Sequence, residues 1–359
     1  MELADICRFA VRGGASDIHL KVGLPPLCRI NGELTPIKSA AAITAEQMGQ
    51  MAWKIMSKSQ REKFKEHNDL DMAWAVQGLG RFRVNVFRQR QAVGMVLRAI
   101  SSQVKTIDEL ALPEILKKIA LFPRGLVIVT GTTGSGKSTT LAAMIEEINR
   151  SVRHHIMTIE DPIEYTYRDR RSLINQREVG VDSVSFASAL RAALRQDPDV
   201  ILVGELRDLE TVEIALSAAE TGHLVMGTLH TLDAPESINR LVSFFEPHHQ
   251  KQIRLQLSST LRAVLAQRLI PTKSGSRAAA LEIMLNTGTI SECIADEDRT
   301  KEIPDHMAKG RLTHGTQTFD QAVLDLVQRD IVDKEVALRY VNNPDELELR
   351  LSGIGADDW

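Results

Sequence analysis

Residues 125–148 read GLVIVTGTTGSGKSTTLAAMIEEI, a buried-strand run, then a glycine-rich loop, then an amphipathic helical stretch. Gly131, Gly134, Gly136, Lys137 and Ser138 match G-x-x-x-x-G-K-[ST] in the strand-then-helix setting that the motif requires. Glycines let backbone N–H groups turn toward phosphate oxygens, and a helix N-terminus adds positive potential. The expected nucleotide-binding set is Thr133, Gly134, Ser135, Gly136, Lys137, Ser138 and Thr139, with Lys137 reaching the β/γ-phosphates of ATP and the Ser138 hydroxyl coordinating Mg²⁺.

Beyond this stretch strands alternate with helices, the signature of a parallel sheet in an α/β fold. HHIMTIEDPIE (154–164) ends in Glu160, Asp161 and Glu164, DVILVGE (199–205) ends in Glu205, and HLVMGTLHT (223–231) ends with His230. Ligands of open parallel sheets bind at the carboxyl ends of the strands, so these ends are expected to converge with the loop on one place. Glu205 then holds the Mg²⁺ and Glu164 positions the attacking water, because phosphoryl transfer needs in-line positioning and charge neutralisation. Glu160 and Asp161 read equally well as metal ligands or as helix caps beside Pro162. His230 reads as a γ-phosphate sensor or a core residue, and His223 as a hydrogen-bonded core residue. Arg195, Arg207 and Asp208 read as salt-bridge partners or as members of the site.

Bulk properties narrow the classes. At 359 residues two packed units are expected. A net charge of -3 and 4% aromatic residues give neither the basic track nor the stacking platforms of a nucleic-acid translocase, so no nucleic acid is expected as partner. Cys7, Cys28 and Cys293 are scattered, contain no C-x-x-C pair and suit a reducing compartment. The first residues, MELADICRFAVRGG, lack a basic-then-apolar signal, and no apolar run approaches membrane-spanning length, so a cytoplasmic location is expected.

The first hundred residues read as a small mixed α/β domain. A helix over 2–12 stops at Gly13-Gly14, the strand SDIHLKV follows, and further strands flank the turn Asn31-Gly32. The Thr44-x-x-Gln47 capping box opens one helix over about 45–65, followed by strands near 70–76, 81–88 and 94–100. In GRFRVNVF (80–87) Phe82, Val84 and Val86 share one face, and Arg81, Arg83 and Asn85 the other. Arg83 and Arg98 read either as a solvated face or as cations reaching an anion held elsewhere. Residues 101–124, with Ser101-Ser102, Pro113, one short helix and the turn FPRG, read as a connection.

LRAALRQDPDVILVGELRDLET (190–211) resembles the signature of the secretion and type IV pilus motor ATPases. GASDIHL (14–20), IEDPIEY (159–165, similar to that family's Asp box) and TGHLVMGTLHT (221–231, similar to its His box) occur in the family's order. Within it the chain is most similar to the type IV pilus retraction, or twitching-motility, ATPases of the PilT/PilU type. The resemblance implies a PAS-like domain over 1–100, a linker over 101–124, a RecA-like P-loop ATPase domain over 125–286 and a C-terminal helical region over 287–359. It implies six copies in a ring, an inner-membrane platform protein as partner and a place at the pilus base. It also implies Glu164 as catalytic glutamate, Glu205 as Walker B acid, His223 and His230 as the His-box pair, and Arg83 and Arg98 as arginines presented to the γ-phosphate by a mobile domain or a neighbouring subunit.

Pilus-assembly and type II secretion relatives usually carry a four-cysteine zinc insertion and a longer N-terminal region, for which this chain leaves no room; retraction is favoured over extension. TGTISECIADEDR (287–299) keeps a helical register but departs from the retraction family's usual letters. The tail from TQTFDQAVLDLV (316–327) to DELELRL (345–351) is similar to PilU-type or divergent members, so an accessory ATPase working beside a second one is the alternative. A P-loop kinase would need an acceptor pocket and usually a lid of arginines, of which the sequence offers no candidate, and the intact acids argue against a non-catalytic ATP switch.

Overall fold

The computed structural model describes residues 2–30, 32–100 and 103–352. Asn31 of the expected turn and Ser101-Ser102 of the expected connection lie outside them. The chain divides into two compact units, residues 1–103 with 164–166 and residues 104–163 with 167–359.

In the first unit an antiparallel sheet has the order β3-β2-β1-β6-β5-β4. Its strands are β1 (Asp17–Leu20), β2 (Leu27–Ile30), β3 (Glu33–Pro36), β4 (Asp69–Val76), β5 (Gly80–Gln89) and β6 (Ala92–Ile100). Period-two alternation along β5 drives Phe82, Val84 and Val86 into the core with Leu97, Met95 and residues of α1 (Leu3–Arg12). The single helix expected over 45–65 is instead two, α2 (Ala45–Ile55) and α3 (Lys58–His67). Ser57 and Gln60 form a second capping box that takes up the first N–H groups of α3 and holds Met56 and Ser57 extended, which ends α2.

The second unit is built on a seven-stranded sheet of order β13-β12-β7-β11-β10-β8-β9. These are β7 (Gly125–Thr130), β8 (His155–Glu160), β9 (Leu173–Glu178), β10 (Val200–Val203), β11 (Leu224–Thr228), β12 (Leu261–Pro271) and β13 (Arg277–Leu285). All pairings are parallel except β12 with β13. Helices α4 (Ile115–Ala120) and α5 (Lys137–Ser151) contribute to the core on one face; α6 (Phe186–Ala193), α7 (Leu209–Glu220), α8 (Ala234–Ser243) and α9 (Pro247–Thr260) contribute to the core on the other. Leu126, Ile128, Ile201 and Val203 enter one core while Val127, Val129, Val200 and Leu202 enter the other. Cover on both faces is why these strands read as unbroken apolar runs.

Past β13 come α10 (Gly288–Ala295), a 3-10 turn over Glu297–Glu302, α11 (Ile303–Lys309), α12 (Arg311–His314), α13 (Phe319–Gln328), α14 (Lys334–Ala337) and α15 (Pro344–Leu351). The last three helices bury Phe319, Val323 and Leu347 against Ala266, Ile270 and Ala280 of β12 and β13. Arg268 of β12 clasps this layer, its guanidinium 3.8 Å above the Phe319 ring and donating to Tyr340 O at 2.7 Å and to Asn342 Oδ1 at 3.0 Å. Among the described residues no helix is long and apolar enough to cross a membrane.

Ile201, wholly buried in mid-sheet, sets the sensitivity of this unit to packing. Ile201→Ala is expected to lower the unfolding free energy by about 2–5 kcal/mol, read by denaturant unfolding followed by circular dichroism; a change under about 0.5 kcal/mol would contradict the doubly covered sheet.

Candidate active site at the carboxyl edge of the parallel sheet

The loop between β7 and α5 turns on three glycines with φ of +137° at Gly131, +81° at Gly134 and +92° at Gly136. At Gly131 no larger residue fits, because a Cβ would lie 2.4 Å from Gln267 O and 2.8 Å from Ser135 Oγ. Lys137, the first residue of α5, is 8% exposed, and its Nζ donates to Gly131 O at 2.7 Å and Thr132 O at 3.0 Å. Ser138 and Thr139 occupy the same first helical turn, while Thr133 and Gly134 are exposed on the loop. Loop residues 131–135 line a pocket of about 320 Å³ together with Leu232, Arg268, Arg277 and Tyr340.

A chain of polar contacts runs along the sheet edge from this loop. Lys137 Nζ lies 3.5 Å from His230 Nδ1, His230 Nε2 lies 3.2 Å from Glu205 Oε1, and Arg207 donates to Glu205 Oε2 at 2.8 Å. Arg207 also approaches Asp161 Oδ2 at 3.7 Å. Four strand ends, those of β7, β11, β10 and β8, are joined in this way. The Glu205 side chain is one-fifth exposed, so the carboxylate is oriented by its neighbours yet open on one side.

The loop and the carboxylate suit ATP and Mg²⁺ on their own chemistry. Ser135 Oγ is buried with no hydrogen-bond partner among the described residues, an orphan that a polar ligand of the loop would satisfy. The glycine φ values, the start of α5, the Lys137 ammonium and the Glu205 carboxylate complete a phosphate-and-cation donor set.

The remaining expected site residues stand outside this line of contacts. The Glu160 carboxylate is buried, accepting from Thr158 Oγ1 at 2.7 Å and Gln176 Nε2 at 3.2 Å. No helix starts beside Pro162, so the helix-cap reading of Glu160 and Asp161 is corrected: the chain after β8 runs irregularly to β9. His223 stands at the opposite end of β11 from His230, roughly 20 Å away at the rise of a strand, with Nδ1 3.0 Å from Ala218 O. Arg195 is exposed at the end of α6, before the amino end of β10, and has no ion-pair partner among the described residues. Glu164 is exposed on the segment 164–166, which groups with the first unit.

Arg83 and Arg98 belong to the first unit, where they are direct cross-strand partners on β5 and β6. Like charges placed opposite each other repel, and each has a carboxylate at hand. Arg98 Nε donates to Asp17 Oδ1 at 2.7 Å, and Arg83 Nε lies 4.0 Å from Asp71 Oδ1. Burial works to raise the Asp17 carboxyl, but hydrogen bonds from Arg98 and Ser16 prevail and hold it below the usual range.

With this geometry in place, comparison with known proteins decides the family. The Type II/IV secretion system protein family model matches residues 2–343. The chain belongs to this family. It is 44% identical over 345 residues to the type IV pilus retraction ATPase PilT of Pseudomonas aeruginosa, covering 96% of this chain and 99% of that one. It is 41% identical over 352 residues to the type IV pilus ATPase PilU of the same organism, covering 98% of this chain and 91% of PilU. A crystal structure of the pilus retraction motor PilT with bound ADP superposes with a TM-score of 0.90 at 43% identity, covering 97% of this chain and 99% of that one. The α/β architecture with a parallel-rich sheet and C-terminal helices is thus that of the secretion ATPases.

Two residues of this candidate site carried no sequence signal. Gln267, on β12, braces the glycine-rich loop from more than a hundred residues away. Glu282, on β13, accepts from Ala234 N at 2.8 Å and so holds the start of α8, four residues after His230. Between them Thr130 Oγ1 meets Thr231 O at 2.7 Å, and Thr231 Oγ1 meets Ser237 Oγ at 2.7 Å, fixing the chain that leaves β11. Each is an ordinary residue in its local sequence, and only the tertiary partner gives it a role.

Burial pushes the Glu282 carboxyl up to about 7, against the opposing hydrogen bond from Ala234. From about pH 4.5, the ordinary glutamate value, to about 7 the unfolded chain has lost a proton that the folded chain keeps, so this group's contribution to stability falls as pH rises. Glu282→Gln retains an acceptor for Ala234 N and does not titrate. Its stability relative to the parent is expected to rise as pH goes from about 5 to about 8, followed by denaturant midpoints; a difference independent of pH would refute the assignment.

Proposed function

We propose that this chain is a Mg²⁺-dependent ATPase motor that powers type IV pilus retraction. The observation that carries the ATPase reading is the contact chain Lys137–His230–Glu205, which sets a phosphate-binding lysine, a histidine and a carboxylate side by side at three adjacent strand ends. The likeness to PilT over nearly the full chain supports retraction as the work performed.

Lys137 and the loop amides of Thr133 to Thr139 hold the phosphates. Ser138 and Glu205 would hold Mg²⁺, which would neutralise charge on the phosphoryl oxygens. Glu164 orients the attacking water and accepts its proton. His230, within reach of both Lys137 and Glu205, reads the γ-phosphate, and Arg207 keeps Glu205 turned toward the loop. Arg83 and Arg98, presented by a neighbouring copy in a six-membered ring, add charge-assisted contacts that link hydrolysis to movement. The partners are copies of this chain and an inner-membrane platform protein at the pilus base, with the ring in the cytoplasm against that membrane.

The likeness to PilU extends over almost the same length, which favours one second reading, an accessory ATPase that works beside another retraction ATPase.

Glu205→Gln is expected to keep nucleotide binding while turnover with Mg²⁺ falls at least about tenfold. Steady-state phosphate release and fluorescent-nucleotide titration measure the two quantities; near-parent turnover in this variant would contradict the role given to Glu205.

A further inference from the structure

The Gln267 side chain is 3% exposed and both of its polar atoms are engaged. Nε2 donates to Ser135 O at 2.8 Å, and Oε1 accepts from Thr140 Oγ1 at 2.7 Å. Ser135 and Thr140 flank Lys137, one at the crest of the loop and the other a turn into α5. The glycines pack on the same residue: a Cβ on Gly131 would lie 2.4 Å from Gln267 O, and one on Gly136 would lie 2.7 Å from Gln267 Nε2. Thus one residue of β12 touches the entry, the crest and the helical exit of the loop. Arg268, next along the strand, is clasped by Tyr340, Asn342 and Phe319, so the backbone that carries Gln267 is anchored on its far side.

The chemistry of the brace calls for an amide. A carbonyl needs a donor and the Thr140 hydroxyl, donating, needs an acceptor; a primary amide offers both at one end, whereas glutamate lacks the donor and leucine lacks both.

We infer that Gln267 is a positioning residue of the phosphate loop. It fixes the Ser135–Gly136 peptide and the start of α5, and through them the amides and the Lys137 stem that receive phosphate. The inference rests on the ATPase reading above and adds to it a residue outside every motif. A loop held in its binding shape loses little entropy when the nucleotide arrives, so loosening it weakens affinity. The same loop grips phosphate in ground and transition states, so the loss falls on KM more than on kcat.

The test uses the full chain with Mg²⁺ and the variants Gln267→Leu, Gln267→Glu, Thr140→Val and Thr140→Ser. A fluorescent ATP analogue gives Kd, steady-state hydrolysis gives KM and kcat, and thermal unfolding gives Tm. Gln267→Leu and Gln267→Glu are expected to raise Kd and KM by about tenfold, ~1.4 kcal/mol, with kcat changed less than about threefold. Thr140→Val is expected to raise them less and non-additively with Gln267→Leu, while Thr140→Ser behaves as the parent. Kd and KM within about twofold of the parent in Gln267→Leu, with or without a lowered Tm, would overturn the inference by reducing the brace to a packing contact. If Gln267→Leu does not fold, the comparison of Thr140→Val with Thr140→Ser decides: equal Kd values overturn the inference, unequal ones sustain it. A parent chain that binds no nucleotide would sink the ATPase reading itself, an outcome distinct from all of these.

Discussion

Adjacent parallel strands must all release their chains at the same edge of the sheet, and in this protein that edge carries the candidate site. Register pairs Val203 of β10 with Ile159 of β8 and with Gly227 of β11, and Thr228 of β11 with Val129 of β7. The strand ends are therefore level to within a residue or so, and the residues that follow them meet. The glycine loop, His230, Glu205 and Asp161 come from segments scattered over a hundred positions, yet their side chains form one line because the backbone hydrogen bonds leave no other arrangement. Apolar cover on both faces keeps that register, since a one-residue slip would exchange the contents of the two cores.

Charges along the line alternate in sign at Lys137, Glu205, Arg207 and Asp161, with the His230 imidazole between the first two. Arg207 and Asp161 are about half exposed, and solvent-exposed pairs of this kind add little to stability. What the line supplies is orientation. Glu205 is held from both sides and keeps one face open, as a carboxylate must if it is to meet a cation near the loop. Deeper in the fold, satisfied buried groups do the holding: Gln267 under the loop, Glu282 beneath the start of α8, and the hydroxyls of Thr130, Thr231 and Ser237 between them.

Much of this was legible in the sequence because it rests on local signals. The glycine-lysine-serine spacing, the apolar runs ending in Glu205 and His230, and the alternation in β5 are properties of neighbouring residues, and they gave the strands and the strand-end residues directly. Three features were not legible. The break at Met56-Ser57 hides inside a continuous helix-forming stretch, where Ser57 competes for the backbone only because Gln60 follows. Glu160 and Glu205 look alike as strand-end acids, but Thr158 of its own strand and Gln176 of the neighbouring β9 draw the first inward. Gln267 and Glu282 depend on partners far away in the chain, and no spacing could announce them.

The central claim is that these strand ends make an ATP-hydrolysing site which arginines of a neighbouring copy complete. Steady-state ATP hydrolysis with Mg²⁺, measured as a function of protein concentration, tests it most directly. Specific activity should climb as subunits associate and level off once the ring is filled. Negligible activity at every concentration, or activity per subunit that stays flat from the most dilute solution upward, would contradict the account.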